Sequence, residues 1–344
     1  MVHIVNWLLT RRCNLKCSYC RIASSYKEPK SYPSYNYFLK YEMDTEKVTD
    51  YLSRFKKHNP NCFHIFYGGE PLLRDDLPEI IQHCHDNEIY YTIITNNSEQ
   101  VQKRISNLFD KVGHLEGLTS SVDPVIFDRE ASGDIVKKSL AGLERLYQYR
   151  DKVKDLVAEI TVDKYNIKYL YSLLEELTKR GICGSVTFID IAKNDYYDFS
   201  NVIDKEVLVS KEEALVPMNE ILDADFNIHM GEDLLGRIYN ILPSELDCEL
   251  ERSVHNLTID ADGSVRLCLR IMGVETPLQT KSKMVLDEDG NLNSELISWL
   301  SKDKQKYCEK CNWSCMIMSK SVDDKSADIE SLLHEERRNE TQNL

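Results

Sequence analysis

"HIVNWLLTRRCNLKCSYC" (residues 3–20) joins a short apolar run to three closely spaced cysteines, and the interpretation of the whole chain depends on it. The run at 3–10 predicts a buried β-strand. Cys13, Cys17 and Cys20 follow it in a C-x3-C-x2-C pattern, with no fourth cysteine nearby. In a structural metal site the protein fills every position, whereas a catalytic site keeps one open. The three thiols therefore predict a metal centre with a position left for another ligand.

Outward from this stretch, as far as about residue 190, short apolar runs alternate with amphipathic segments. Strands are predicted at 3–10, 63–69, 90–97, 117–123, 156–162 and 185–192, and helices at 44–58, 75–88, 99–108, 134–150 and 166–181. This alternation is typical of an α/β fold in which helices cover a parallel sheet. Six successive units favour a partial (β/α)6 barrel of the TIM type over a doubly wound sheet, although the pattern leaves both open.

Polar or metal-binding residues follow four consecutive predicted strands. The cysteines follow the first strand, "GGEP" (68–71) follows the second, Asn96 ends the third, and Ser121 ends the fourth. In barrels of this type, function gathers on the loops at the C-terminal ends of the strands. Glycines in such a loop let the backbone approach a neighbour closely. The sequence therefore predicts one site at this edge of the sheet.

A second group of cysteines lies in the C-terminal third of the chain. It comprises Cys248, Cys268, Cys308, Cys311 and Cys315. Cys268 falls within a predicted β-hairpin at 257–270, whose turn is Asp262–Gly263. The first ten residues are too short an apolar run, and too soon followed by "RRC", to be a secretion signal, and cytosolic thiols stay reduced. Clustering therefore predicts a second metal centre, which could be an iron–sulfur cube or a zinc site.

The first cysteine group resembles that of the radical S-adenosylmethionine (SAM) superfamily, whose motif is C-x3-C-x2-C. Tyr19 supplies the aromatic residue usual before the third cysteine, and "GGEP" stands after the second strand, as in that family. The resemblance implies a [4Fe–4S] cluster held by the three cysteines, with SAM on the fourth iron. It also implies that one electron cleaves SAM to a 5′-deoxyadenosyl radical, which abstracts a hydrogen atom from the substrate.

The same resemblance implies a set of SAM-binding residues. Glu70 would meet the amino group of the methionine moiety. Ser121 and Arg129 match a ribose-contacting Ser and a carboxylate-binding Arg, although Pro124 replaces the usual Gly; Arg129 can also be interpreted as a solvated charge and Asn96 as a turn residue. The full set is Tyr19, Gly68, Gly69, Glu70, Pro71, Asn96, Ser121 and Arg129. No catalytic base can be carried over; the strand-end candidates are Tyr67, Asp123 and Asp190.

The second cysteine group resembles the SPASM/twitch extensions of that superfamily, which begin with C-x9–15-G-x4-C. Gly263 stands at the expected place before Cys268. Five cysteines fit the shortened twitch form, which implies one auxiliary [4Fe–4S] cluster, with zinc as the competing metal. The favoured ligands are Cys248, Cys268, Cys308 and Cys311, with Cys315 as the leading substitute for Cys308 or Cys311.

Four parts are predicted along the 344 residues: a radical SAM partial barrel at 1–199, an acidic helical connector at 200–243, an auxiliary-cluster domain at 244–320, and a helix with a frayed tail at 321–344. The net charge of −14 argues against a surface that grips nucleic-acid backbone. No apolar run reaches the roughly 18 residues that a membrane span needs. We expect a cytoplasmic protein with no membrane partner.

The resemblance implies an enzyme, of oxidoreductase or of isomerase or transferase class. Its expected partners are SAM, a reductant such as flavodoxin or ferredoxin, and a substrate. We expect that substrate to be a peptide or protein side chain, as in the maturation of ribosomally made peptides. The alternatives are oxidation or rearrangement of a small molecule or nucleoside, and a non-catalytic iron–sulfur or zinc scaffold.

Overall fold

The structure, a computed structural model, describes residues 4–15, 17, 20, 39–122, 135–188, 193–194, 197–198, 209, 211–228, 256–263 and 265–266. The first cysteine group is therefore described. All five cysteines of the second group, together with Tyr19, Asp123, Arg129 and Asp190, lie outside the described residues. Among the described residues, no helix combines the length and the apolar character needed to cross a bilayer.

The described elements alternate between strands and helices through the first two thirds of the chain. The strands are β1 (Ile4–Thr10), β2 (Phe63–Gly68), β3 (Tyr90–Thr95), β4 (Leu115–Ser121), β5 (Val153–Val162), β6 (Cys183–Phe188), β7 (Lys193–Asn194), β8 (Tyr197–Asp198), β9 (Asn256–Ile259) and β10 (Val265–Arg266). The α-helices are α1 (Thr45–His58), α2 (Leu77–Asp86), α3 (Glu99–Val112), α4 (Ile135–Tyr147), α5 (Leu170–Lys179) and α6 (Lys211–Leu222). Short 3-10 turns lie at Pro71–Leu73, Arg150–Lys152 and Ile167–Tyr169.

Strands β1 to β6 form one parallel sheet in sequence order, as a partial (β/α)6 barrel requires. The full strand order is β10-β9-β1-β2-β3-β4-β5-β6, with only β10 antiparallel to its neighbour. Among the described strands the sheet does not close, because β10 and β6 are its two edges. The predicted partial TIM-type barrel is thus confirmed.

Most element bounds agree with the prediction to within a few residues, and the differences follow from burial. Helix α3 was predicted to end at Leu108 but continues to Val112, because Phe109 and Val112 are buried on the same face. Gly113 then ends it with a φ of 80°, donating its N–H to the Phe109 carbonyl. The Asp44 cap of α1 is confirmed: its side chain accepts a hydrogen bond from the Lys47 N–H at 2.9 Å.

The C-terminal hairpin joins the barrel sheet. Strand β9 pairs in parallel with β1, so that Ile4 lies opposite Asn256 and Trp7 opposite Ile259. Parallel pairing requires a long crossover connection, and here most of the chain lies between the two strands. The division of the chain at residue 244 stays a prediction, but residues 256–259 are part of the same sheet as β1.

The face of the sheet that packs against the helices contains a buried histidine. Trp7 is fully buried and donates its indole N–H to His64 Nδ1 at 3.0 Å. The Phe55 ring of α1 packs edge-on against both of these rings. Burial lowers the pKa of His64 to about 3, with a further contribution from Lys56. His64 is therefore neutral in the folded protein at any moderate pH.

We expect His64 to make the folded state sensitive to acid. Between about pH 6.5 and 3 the unfolded chain binds a proton at this residue and the folded chain does not, so stability falls as the pH drops through 6.5. The loss from this group is about 2 kcal/mol between pH 6.5 and 5. His64→Asn keeps an acceptor for Trp7 but does not titrate, so its unfolding free energy in urea should fall less over this interval. The partly exposed His58→Asn is the control, and equal slopes for wild type and His64→Asn would contradict the prediction.

Candidate functional site

The first cysteine group lies on the loop after β1, at the C-terminal edge of the sheet. All three cysteines are partly exposed. The Cys20 N–H donates to the Cys17 carbonyl at 3.1 Å, and the Leu15 N–H donates to Cys13 Sγ at 3.4 Å. Cys20 packs against Leu8 on the inner face of the barrel, which is the face opposite the helices. The cysteine loop therefore borders the open interior.

The two glycines at the end of β2 allow the loop that follows it to dock on β1 and the cysteine loop. The Gly69 N–H donates to the Thr10 carbonyl and the Glu70 N–H to the Arg12 carbonyl, both at 2.7 Å. A Cβ atom at Gly68 would lie 2.4 Å from Thr10 O, and one at Gly69 would lie 2.1 Å from Arg12 O. Gly68 also has a φ of +133°, which side chains disfavour. The described neighbour that requires glycine is the end of β1 for Gly68 and the start of the cysteine loop for Gly69. Contact of Gly68 and Gly69 with SAM stays a prediction.

Glu70 is a fully buried carboxylate that joins the loops after β2 and β3. Its Oε1 accepts from the Leu72 N–H at 3.1 Å and from the Thr95 hydroxyl at 3.0 Å, and its Oε2 accepts from the Asn96 N–H at 2.8 Å. Burial raises the pKa of Glu70 to about 7, although the three hydrogen bonds favour the ionised form. The side chain thus positions the neighbouring loop. Its predicted contact with the amino group of SAM stays a prediction.

Asn96 follows β3 and contacts the cysteine loop. Its Nδ2 donates to Asn14 Oδ1 at 2.9 Å and lies 3.9 Å from Cys13 Sγ. Asn14 in turn donates to Ser98 Oγ at 2.8 Å and to Gln100 Oε1 at 2.9 Å. Sequence analysis singled out Asn96 but missed Asn14, Ser98 and Gln100. The available signal was the polar run "TNNS" (95–98) at a strand end.

Two arginines directly before Cys13 are held by acidic partners that sequence analysis also missed. Arg12 Nη2 donates to Glu42 Oε1 at 2.8 Å, and Thr10 Oγ1 donates to the other carboxylate oxygen at 2.6 Å. Arg11 makes a two-pronged ion pair with Asp260 in the hairpin, with Nε donating to Oδ1 at 2.9 Å and Nη2 donating to Oδ2. The start of the cysteine loop is therefore anchored on both sides.

The remaining predicted residues are distributed around the same edge. Tyr67 lies on the inner face with Leu8, while Pro71 is buried at the start of the first 3-10 turn. Ser121 ends β4 and is partly exposed. Ser121 shares the inner face of β4 with Thr119, because side chains two positions apart on a strand point the same way. The Thr119 hydroxyl is hydrogen-bonded to that of Thr92 at 3.2 Å, so these three residues form a polar strip on the inner face.

The donor set fits an iron–sulfur cluster. Burial, chiefly, raises the pKa of Cys13 to about 11, and the nearby Cys20 and Glu70 act in the same direction. A bare thiol here is protonated, so a metal must displace the proton to bind. Among the described residues, no three His, Cys, Asp or Glu side chains converge on one point as a single metal ion would need. The cysteines of a [4Fe–4S] cube bind different irons and need not converge; soft thiolate ligands suit such a cluster.

Comparison with known families agrees with this geometry. The model of the Radical SAM superfamily matches residues 7–204, which is more than half of the chain. The chain belongs to the radical SAM superfamily. It is therefore an enzyme of that superfamily, whose members use a [4Fe–4S] cluster and SAM. The matched range contains β1 to β6 and the cysteine loop.

Individual relatives of this radical SAM enzyme are distant. A GTP 3′,8-cyclase of Aquifex aeolicus is 26% identical over 272 residues, which is 76% of this chain and 80% of the cyclase. An Fe-coproporphyrin III synthase of Methanosarcina barkeri is 26% identical over 186 residues, or 52% of this chain and 43% of that protein.

Among solved structures, SuiB of Streptococcus suis shares the fold. Bound to S-adenosylmethionine, it superposes with a TM-score of 0.56 at 15% identity, covering 80% of this chain and 62% of SuiB. Its complex with the precursor peptide SuiA gives a TM-score of 0.51. The chain thus spans less than two thirds of the length of SuiB.

Proposed function

We propose that this enzyme cleaves SAM reductively at a [4Fe–4S] cluster held by Cys13, Cys17 and Cys20, and that the resulting 5′-deoxyadenosyl radical abstracts a hydrogen atom from a substrate. One observation carries the proposal. Three thiols without a fourth lie on a loop that borders the open barrel and is bonded to the "GGEP" loop through Gly69 and Glu70. In a radical SAM enzyme, three thiolates bind three irons of the cube and leave the fourth iron free to bind SAM.

The described candidates for SAM binding lie around this loop. Gly68 pairs with Thr10 at the end of β1, Gly69 and Glu70 donate to the Thr10 and Arg12 carbonyls, and Pro71 follows them. Ser121 stands at the polar end of β4 on the inner face. We propose these, with Asn96, Tyr19 and Arg129, as the SAM-binding set. An arginine could bind the SAM carboxylate through a paired fork of hydrogen bonds.

We further propose one auxiliary [4Fe–4S] cluster on Cys248, Cys268, Cys308 and Cys311, with Cys315 as the substitute ligand. Its support is the hairpin. The turn at Gly263 has a φ of +82°, and a Cβ there would lie 2.9 Å from Lys47 Nζ and 3.1 Å from Met43 Sδ. Strand β9 and this turn, which lie between Cys248 and Cys268 in the sequence, thus pack on β1 and on Lys47 of α1. A cluster there would relay electrons from the substrate radical or hold the substrate.

For the substrate, we propose a peptide or protein side chain. SuiB, which shares the fold, was solved with a precursor peptide. A second candidate is a nucleotide or another small molecule, which the GTP 3′,8-cyclase relative favours because the match spans 80% of that enzyme. Flavodoxin or ferredoxin is the proposed reductant. A panel of GTP and synthetic peptides, scored by mass change and by deuterium transfer into 5′-deoxyadenosine, would distinguish the two.

The decisive assay is anaerobic. Protein reconstituted with iron and sulfide, then given SAM and dithionite, should release 5′-deoxyadenosine. Two clusters would contribute about eight irons per chain, whereas one cluster with zinc would contribute about four. Full iron loading without any 5′-deoxyadenosine would reject the enzyme proposal in favour of an iron–sulfur scaffold.

A further inference from the structure

The sulfur of Cys13 has two N–H groups beside it, from different parts of the chain. One is the Leu15 backbone N–H, at 3.4 Å on the cysteine loop itself. The other is the Asn96 side-chain amide, at 3.9 Å, which reaches across from the end of β3. Sulfur accepts hydrogen bonds at longer distances than oxygen does, and such bonds to cluster thiolates are one means by which proteins set cluster potentials.

The orientation of the Asn96 amide is determined by its other partners. Its Oδ1 accepts the Ser98 N–H at 3.0 Å, which only an oxygen can do, so the NH2 group must face the cysteine loop. There Nδ2 donates to Asn14 Oδ1 at 2.9 Å and points its second N–H toward Cys13. The Asn96 backbone is also bound, through its N–H, to the buried Glu70 carboxylate at 2.8 Å.

Asn14, on the cysteine loop, makes further hydrogen bonds to the residues after β3. Its own amide donates to Ser98 Oγ and to Gln100 Oε1, at 2.8 and 2.9 Å. The loop after β3 is therefore hydrogen-bonded to the cysteine loop in both directions. The Asn96 amide donates to Asn14, and the Asn14 amide donates to Ser98 and Gln100. Residues outside a metal site that orient its ligands in this way also tune the metal.

We propose that Asn96 is a positioning residue that donates a hydrogen bond to Cys13 Sγ and thereby raises the reduction potential of the N-terminal cluster. The proposal rests on the proposed binding of that cluster by Cys13, Cys17 and Cys20. Reduction adds negative charge to the cluster and its sulfurs, so an N–H donor stabilises the reduced state more than the oxidised one. The bond tightens when its acceptor is ionised, as the metal-bound Cys13 thiolate is. Because SAM cleavage needs the reduced cluster, Asn96 would set how easily the reductant can deliver the electron.

The test compares Asn96→Asp and Asn96→Ala with Gln100→Ala in the reconstituted full chain. Asn96→Asp keeps the shape but replaces the donor with an acceptor, whereas Gln100→Ala removes a partner of Asn14 and leaves Asn96 intact. The EPR signal of the N-terminal cluster, identified by its change when SAM is added, is followed in a redox titration. At a fixed potential the ratio of reduced to oxidised cluster should fall about tenfold in Asn96→Asp, equivalent to about 59 mV for one electron. It should fall about threefold in Asn96→Ala and stay unchanged in Gln100→Ala.

Unchanged ratios in both Asn96 variants would overturn the proposal, as would an equal fall in Gln100→Ala. If the Asn96 variants fail to retain iron, the proposal is tested on the wild-type protein instead. Pulsed EPR after exchange into D2O then measures the coupling of exchangeable hydrogens to the cluster. A coupled deuteron assigned to a side-chain amide by 15N labelling of the asparagines would support the proposal, and the absence of such a deuteron would overturn it. If the wild-type cluster responds to SAM, but the Asn96 variants keep the wild-type ratio and no amide deuteron is coupled, this inference alone is rejected. If the wild type has no cluster that responds to SAM, the proposed function is rejected as well.

Discussion

Replacing Cys17 with alanine is expected to reduce 5′-deoxyadenosine formation to background and to lower the iron content from about eight to about four per chain. The physical reason is the number of ligands. The described loop offers three thiols and no fourth, so removing one would leave two protein ligands for the proposed cube, one of whose irons is already open to SAM. Iron analysis and chromatography of the nucleoside products after anaerobic reconstitution would measure both effects.

Cys183→Ala is the matched control for this substitution. Cys183 begins β6, is partly exposed like Cys17, and lies outside the C-x3-C-x2-C pattern. It should keep both iron and SAM cleavage. Cys268→Ala, which removes a proposed ligand for which Cys315 is not the substitute, should lose about four irons but still release 5′-deoxyadenosine, because the proposed auxiliary cluster is a separate centre. Persistent SAM cleavage in Cys17→Ala would show that another set of residues binds the catalytic cluster.

Local patterns in the sequence were sufficient to predict the alternation of strands and helices, and they favoured the barrel over a doubly wound sheet. Each of the six strands is a short apolar run and each intervening helix has a single apolar stripe, so the order of elements follows from periodicity alone. The Asp44 cap and the hairpin turn at Gly263 were also predictable, because each depends on residues only a few positions apart. The strand ends could then be ranked for function by their polar residues.

Contacts between distant parts of the chain were not predictable in this way. Nothing in "TIDADG" (258–263) indicates that β9 will pair with β1, and an isolated Asp260 is indistinguishable from an ordinary turn residue. The same holds for Glu42, whose partners Thr10 and Arg12 are identified only by the fold. Asn96 was recognised as a strand-end residue, but its orientation toward Cys13 depends on the Ser98 N–H and on Asn14.

Asp260→Asn is expected to destabilise the protein by about 3–5 kcal/mol, the usual cost of removing one partner from a buried ion pair. Asp260 is fully buried and Arg11 is 1% exposed, so the guanidinium would keep its charge without an opposite charge to compensate it. The two residues are 249 positions apart, and their pair holds the hairpin against the strand that leads into the cysteine loop. Urea unfolding, followed by the fluorescence of tryptophans that include the buried Trp7, would measure the loss.

The double variant Arg11→Met/Asp260→Asn shows how much of the loss comes from the unpaired charge and how much from the changed packing. With no charge left in the site, it should be more stable than the sum of the single variants implies, by about 1–3 kcal/mol. Asp262→Asn, a partly exposed carboxylate two residues along the same turn, should change stability by about 0.5 kcal/mol or less. If Asp260→Asn is as mild as Asp262→Asn, or if the double variant shows only additive losses, the ion pair does not hold the hairpin in place. In that case the β9 pairing with β1 would have to depend on the apolar contacts of Leu257 and Ile259.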